Sequence, residues 1–325
     1  MKKKILNRIL HTAKSCKKDE FYTQLSDIES ELKHYSKHFK NKTIFCNCDN
    51  PRISNFFYYF SYNFENLGIK RIITSYYKNK ECGEESKNGI FLEYTGEKNE
   101  NKTPNLEEND IKSLKGDGDF RSLESIGLLK QSDIVVTNPP FSLYKENVNQ
   151  LVKYEKKFLI IGNINAITYK EIFNLIKENK VWLGINMGRG ISGFIVPDHY
   201  ELYGTETKID SFGNRIISPN NCLWLTNLET FKRHEDILLT KTYYGNENKY
   251  PKYDNYDAIN VNKTRDIPMD YAGFMGVPIT FLHKYNPEQF ELIKFRKGDN
   301  EKDLSINGKC PYFRILIKNK KLLNK

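Results

Sequence analysis

Apolar and polar positions along this chain follow two periods. Short apolar runs bounded by polar turns predict strands at Thr43–Cys46, Ile69–Tyr76, Asp133–Val136, Phe158–Gly162, Val181–Ile185 and Leu223–Leu225. Helical spacing lies between them. Ile28, Leu32 and Tyr35 share one face of Asp27–Tyr35, and Phe56, Phe57, Tyr59 and Phe60 fill an aromatic helix over Ile53–Phe64. Ile172, Phe173 and Ile176 mark a third helix over Tyr169–Glu178. Residues 1–40 predict helices with a break at the acidic-aromatic stretch Asp19–Gln24. Asn88-Gly89 opens a hairpin arm over Ile90–Thr95, and residues 97–110 form a solvated loop. Strand–helix–strand alternation predicts an α/β chain with a mostly parallel sheet covered on both faces. Near residue 227 the pattern gives way to Tyr, Lys, Asn and Asp. That change divides the chain into a core at 1–226 and an irregular C-terminal region at 227–325, whose end, Ile315–Lys325, is expected to fray.

The strand at Asp133–Val136 runs straight into Asn138-Pro139-Pro140-Phe141. Two consecutive prolines stop any ladder or helix, because neither has an N–H and each fixes φ. Pro139 also holds Asn138 extended. The result is a stiff turn at the carboxyl end of a strand, where open α/β sheets bind ligands. The Asn138 amide oxygen and the Pro139 carbonyl can accept hydrogen bonds from an amino group, and Phe141 can stack on a planar ring. Adenine, cytosine and glutamine all carry such an amino group. The bland alternative is a Pro-Pro loop without chemistry.

Composition narrows the partners. Fifty-one basic against 41 acidic residues leave a net charge of +10. A polyanion such as nucleic acid suits that balance, although AT-rich coding supplies the same Lys, Asn, Ile and Tyr. Six cysteines are scattered and form no dense framework, which points to reduced thiols and a cytoplasmic protein. Cys46 and Cys48 have no second Cys/His pair at ligand spacing, so no zinc site is expected. No apolar window approaches a membrane span, and the basic start Met1–Arg8 leads into no signal-type apolar core.

Two further loops carry candidate chemistry. Asn47-Cys48-Asp49-Asn50 ends the first strand just before a helix; its carboxylate can accept from an ammonium group, and the helix start attracts a carboxylate. Gly116–Arg121 places Asp119 beside Phe120, an acceptor next to a stacking ring. Taken singly, these read as a helix cap and a β-turn.

Their order gives a resemblance. Asn-Pro-Pro-Phe after an apolar strand resembles the signature of amino-methyltransferases that use S-adenosylmethionine. Asp19–Thr23, Cys46–Phe57, Gly118–Ser122, Thr137–Ser142, Leu223–Leu228, Tyr253–Ile259, Met275–Leu282 and Tyr285–Glu291 together resemble the EcoRI-type adenine-specific DNA methyltransferase family. The resemblance implies a Rossmann-like class I methyltransferase fold with a seven-stranded sheet. It also implies S-adenosylmethionine as cofactor, double-stranded DNA as substrate, a cognate restriction endonuclease as possible companion, and a monomer. By the same carry-over, Phe21, Tyr22 and Thr23 lie against the cofactor, Asn47 and Asp49 at its methionine end, and Asp119 and Phe120 at its adenine end. Asn138, Pro139, Pro140 and Phe141 hold the target base. Many methyltransferases end the second strand with an acidic residue that grips the ribose. Here Thr74-Ser75-Tyr76 stands there, leaving Thr74 as a weaker neutral substitute. By the resemblance, residues 1–226 are the S-adenosylmethionine-binding catalytic core and 227–325 a target-recognition region packed on it, with Asn186–Ser192, Lys232-Arg233-His234 and Asn262–Arg265 as candidate DNA contacts. Rival readings keep the fold but methylate RNA or protein glutamine, or keep it as a silent DNA-binding scaffold.

Overall fold

The structure is a computed structural model of the chain, describing residues 22–77, 88–101, 103–105, 110–187, 191–196, 207–218 and 221–322. Phe21, the stretch before it and residues 188–190 lie outside the described residues.

Two compact units emerge. The first comprises residues 1–167 and 184–228, the second 168–183 and 229–325. In chain order the elements begin β1 (Tyr22–Thr23), α1 (Leu25–Leu32), β2 (Thr43–Cys46), α2 (Asn55–Tyr62), β3 (Arg71–Tyr76), β4 (Ile90–Tyr94) and β5 (Lys112–Ser113). They continue with α3 (Leu123–Gln131), β6 (Ile134–Thr137), α4 (Tyr144–Lys153), β7 (Lys157–Asn163), α5 (Lys170–Lys177), β8 (Trp182–Met187), β9 (Phe194–Val196), β10 (Thr207–Ile209), β11 (Arg215–Ile217) and β12 (Cys222–Thr226).

The main sheet has eight strands in the order β5-β4-β3-β2-β6-β7-β12-β8. The count corrects the expected seven strands, and the sheet is mixed. β3, β2, β6 and β7 pair in parallel; β4 pairs antiparallel with β3 and β5 with β4 on one side, and β12 pairs antiparallel with β7 on the other. The physical signal was present in β4. Ile90, Leu92 and Tyr94 are buried while Phe91 and Glu93 are half-buried, the one-sided alternation of an antiparallel strand. β2 and β6 are buried at every position, as expected of central parallel strands.

Side chains alternate across the sheet. Ile44, Cys46, Ile134, Val136, Leu159, Ile161 and Trp224 meet Ile28 and Leu32 of α1 and Phe56, Phe57 and Phe60 of α2 in one apolar cluster. The opposite face receives α4: the missing side chain of Gly162 leaves room for the Tyr144 ring, which an added Cβ would approach to 2.3 Å. After β2 the chain moves to β3 on one side and later returns to β6 on the other. The carboxyl ends of β2 and β6 therefore flank a topological switch point, where such sheets open a crevice.

A second, small sheet, β1-β9-β11-β10, is antiparallel throughout, and no periodicity in its short segments predicted it.

The second unit is built on β13 (Ala258–Asn260), β14 (Phe274–Pro278), β15 (Phe290–Phe295) and β16 (Arg314–Asn319), in the order β13-β14-β16-β15. The expectation of an irregular region ending in a frayed tail is corrected here. Ile315, Leu316 and Ile317 are fully buried because β16 is paired on both edges. Its mixture of lysines and apolar residues concealed a central strand. α5 packs against β15, with the Phe173 and Phe295 rings 5.4 Å apart. Among the described residues no helix is long and apolar enough to cross a membrane.

Candidate functional site

The site forms where β2 and β6 end. Asp49 lies just beyond β2, and its carboxylate is held by two hydroxyls. Ser54 Oγ donates to Oδ1 at 2.8 Å, and Thr137 Oγ1 donates to Oδ2 at 2.7 Å. Ser54 is also the N-cap of α2, accepting from Phe57 N, so one serine starts the helix and orients the acid. Thr137 is the last residue of β6 and immediately precedes Asn138. A hydrogen bond thus joins the loop after β2 to the stiff turn after β6. Burial pushes the Asp49 carboxyl up to about 6, against the two hydroxyls that pull it down. Asp49 forms no ion pair among the described residues. A half-buried carboxylate that lacks a cation is suited to receiving one from a ligand.

The expected ribose partner has another task. Thr74 is fully buried, and its hydroxyl donates to the Asp49 backbone carbonyl at 2.6 Å. Asp49 N donates to Ser75 O at 3.0 Å, and Asn47 is buried with its carbonyl facing the Ser75 hydroxyl at 3.4 Å. The end of β3 therefore braces the loop after β2.

The Gly116–Arg121 loop is pressed against this end of β3. Gly118 has φ +83°, and a Cβ there would come within 2.6 Å of the Tyr76 carbonyl. Asp119 is near enough to Cys48 to help raise its thiol, after burial and Asp49. Its carboxylate is gripped by the Arg121 guanidinium at 2.9 and 2.6 Å. Phe120 is buried, with the Arg121 guanidinium 5.6 Å from its ring centre. Arg121 is the unanticipated part of this loop: it occupies the carboxylate expected to accept from an adenine amine.

Asn138 is half-buried, Pro139 is buried and Pro140 is half-buried. The Pro140 carbonyl accepts from Leu143 N at 3.0 Å, closing the turn. Phe141 is half-buried and meets Phe194 of β9 edge to face, with ring centres 5.9 Å apart. Phe194 pairs in the ladder with Thr23 of β1, placing Tyr22 and Thr23 beside the turn. Asn55 Nδ2 donates to the Thr23 carbonyl at 2.8 Å, while the buried Thr23 hydroxyl has no hydrogen-bond partner among the described residues. The structure thus gathers Tyr22, Thr23, Asn47, Asp49, Asp119, Phe120 and Asn138–Phe141 in one unit, and adds Ser54, Thr137, Arg121 and Phe194. A serine at a helix start is readable from sequence; Phe194 carried no such signal.

The candidate DNA contacts fare differently. Asn186 donates to the Ser30 carbonyl, while Ser192 N and Oγ donate to Asp27, so α1 fastens both sides of that segment. Glu31 of α1, its carboxyl raised by burial, accepts from Ile185 N, Asn186 N and Tyr35 Oη. In the second unit the Arg233 guanidinium lies 3.8 Å from the Trp182 ring centre and pairs with Glu229, while His234 sits between Glu229 and Glu288. Asn262 accepts from Asn260 and Arg314. These groups are engaged in holding their own units together.

The model of the adenine-specific methyltransferase EcoRI family matches residues 9–320, and the chain belongs to that family. It is 68% identical to the Type II methyltransferase M.EcoRI of Escherichia coli, over 99% of both chains. It is 39% identical to M.MgeORF184P of Mycoplasma genitalium, over 95% of this chain and 98% of the relative. The figure for M.MpnI of Mycoplasma pneumoniae is 36%, over 94% and 96%. No solved structure matches the chain.

Proposed function

We propose that the protein is a site-specific DNA methyltransferase that methylates the exocyclic 6-amino group of adenine. Family membership supports the reaction. The observation that carries the assignment of residues is the Asp49–Thr137 hydrogen bond, which ties a cation-accepting acid to the turn bearing Asn138. S-adenosylmethionine, when bound, supplies an electrophilic methyl group.

The residues present fit that cofactor. Its amino acid end carries an ammonium group, and Asp49 is an anion without an ion-pair partner among the described residues. The buried Thr23 hydroxyl, without a hydrogen-bond partner among the described residues, offers a further polar contact. Tyr22, Asn47 and Phe120 complete the proposed cofactor wall, with Phe21 carried only by sequence. Asp119 joins it through a carboxylate shared with Arg121, and Thr74 acts by bracing Asp49.

The target amine is enclosed in a base pair, so the adenine leaves the stack at a cost of a few kcal/mol. Asn138 Oδ1 and the Pro139 carbonyl accept from the amine and orient its lone pair. Pro140 keeps the turn stiff, and Phe141, steadied by Phe194, stacks on the base. Positioning and electrostatics carry the rate. The reading includes a monomer acting on double-stranded DNA in the cytoplasm, and the Type II names of the relatives add a cognate restriction endonuclease.

The test is to incubate the protein with cofactor labelled in the methyl group and duplex DNA, RNA or protein, and then digest the product. Label in 6-methyladenine of DNA is expected. Label confined to RNA or glutamine overturns the proposal.

A further inference from the structure

The hairpin formed by β10 and β11 belongs to the same ladder as the site. Ile217 at the base of β11 pairs with Phe194, which pairs on its other side with Thr23 and meets Phe141 edge to face. At the far end Phe212 stands in water with 88% of its surface exposed, and Ile209 is 61% exposed. The tip is not loose. Asp210 Oδ1 accepts from Phe212 N and Asn214 N, both at 2.9 Å, and Oδ2 accepts from Asn214 Nδ2 at 2.9 Å. Asp210 N also donates to the Asn214 carbonyl at 3.0 Å. A large apolar ring is therefore held outward on a rigid support, where burying it against a partner would stabilise the complex.

The flanking charge selects the occupant. Lys208 is exposed and Arg215 half-buried on the two strands, in a chain of net charge +10, which favours a polyanion over a second copy of the chain. Phe212 lies five positions before Ile217 in the chain. At about 3.3 Å per residue the three strand steps from Ile217 to Asn214 carry the arm roughly 10 Å beyond Phe194, with Phe212 at the turn beyond them, a reach comparable to a major groove about 12 Å wide.

We infer that the β10–β11 hairpin is a DNA-engaging arm whose Phe212 side chain enters the duplex where the target adenine has left the stack. Apolar side chains inserted between base steps are an established way of compensating unstacking. The inference rests on the DNA-adenine reading above, and it adds the residue that lowers the cost of extruding the base.

The test compares wild type, Phe212→Ala and Phe212→Leu on two duplexes carrying the adenine that the wild type modifies. In one duplex that adenine is paired with thymine; in the other it faces an abasic position, so extrusion is already cheap. Phe212→Ala is expected to slow methylation of the paired duplex by about tenfold or more, each tenfold being about 1.4 kcal/mol of a cost of a few kcal/mol. On the abasic duplex it should run within about threefold of wild type, and Phe212→Leu should retain most activity on both. Cofactor affinity, read by equilibrium binding, should be unchanged. An undiminished rate of Phe212→Ala on paired DNA, or an equal loss on both duplexes, overturns the wedge while leaving the enzyme assignment intact. A wild-type protein that modifies neither duplex nor any other DNA overturns both.

Discussion

Asp303 of the second unit is gripped by Arg296 at 2.6 and 2.8 Å and approached by Lys297 at 3.2 Å, and these cations hold its carboxyl below the usual range. Asp49 of the first unit is also well hydrogen-bonded, but only by hydroxyls, and its carboxyl is pushed up to about 6. Both acids are supplied with donors; the difference is countercharge. A carboxylate paired inside its own unit contributes stability there, whereas one held ready without a cation leaves its electrostatic gain to a ligand. The contrast supports, without reference to any motif, the proposal that Asp49 binds a ligand while Asp303 serves its own unit.

The largest expected effect lies beside Asp49 rather than on it. Asn138→Ala removes an acceptor for the amine and should lower methyl transfer by about 10²–10³-fold, with cofactor affinity held within a few-fold. Single-turnover rates and equilibrium binding measured on the same preparation check this. A variant with near wild-type turnover would remove Asn138 from the proposed chemistry.

Replacing each acid by its amide breaks the comparison directly. Asp49→Asn should weaken cofactor binding by about 30- to 100-fold, the effect of losing one partner of a desolvated charge pair. Asp303→Asn should leave that affinity alone and cost about 1 kcal/mol of stability, since its pair is partly exposed. Calorimetry and denaturant unfolding on both variants give the two numbers. Equal effects of the two substitutions on cofactor affinity would dissolve the distinction drawn between them.

How much of this was legible beforehand depended on period and burial. β2, β6, β7 and β12 were readable because central strands are continuous apolar runs. β16 was not, since its lysines interrupt the pattern although its middle is fully buried. β9 to β11 are three residues each, too short to show a period. In the site, Asn138–Phe141 and Asp49 announced themselves by residue type and place. The Ser54 and Thr137 hydroxyls did not, because their contribution exists only once two strand ends meet. The bond from the Thr74 hydroxyl to the Asp49 carbonyl was hidden for the same reason, since it depends on the neighbouring strand end rather than on Thr74's own strand position.

Acid distinguishes the two carboxylates a second way. A ligand ammonium favours ionised Asp49, so binding must displace a proton once the pH falls below about 6. Cofactor affinity should therefore weaken toward acid, approaching tenfold per pH unit below that value. Asp303 has the opposite sign: its folded-state value is lowered, so its stabilising contribution persists above about pH 4 and disappears only as pH falls further. Titrating binding between pH 5 and 8 while monitoring unfolding separates the two. A flat affinity profile would remove Asp49 as the ammonium acceptor.

The finest test concerns the bond that joins the two loops. Thr137→Val keeps the shape of the β-branched side chain and deletes only the hydroxyl that donates to Asp49. One neutral-to-charged hydrogen bond is worth about 1.5–3 kcal/mol at most, and Ser54 continues to hold Oδ1. Cofactor affinity at pH 8 should accordingly drop by only about three- to tenfold. The Thr137 hydroxyl is one of the two groups that pull the Asp49 carboxyl down. Without it the carboxyl rises further, and the midpoint of the acid-dependent loss of affinity moves above that of the wild type. A merely structural threonine would weaken binding equally at every pH. An upward shift of the midpoint assigns Thr137 to tuning the acid, and an unmoved midpoint assigns it to packing alone.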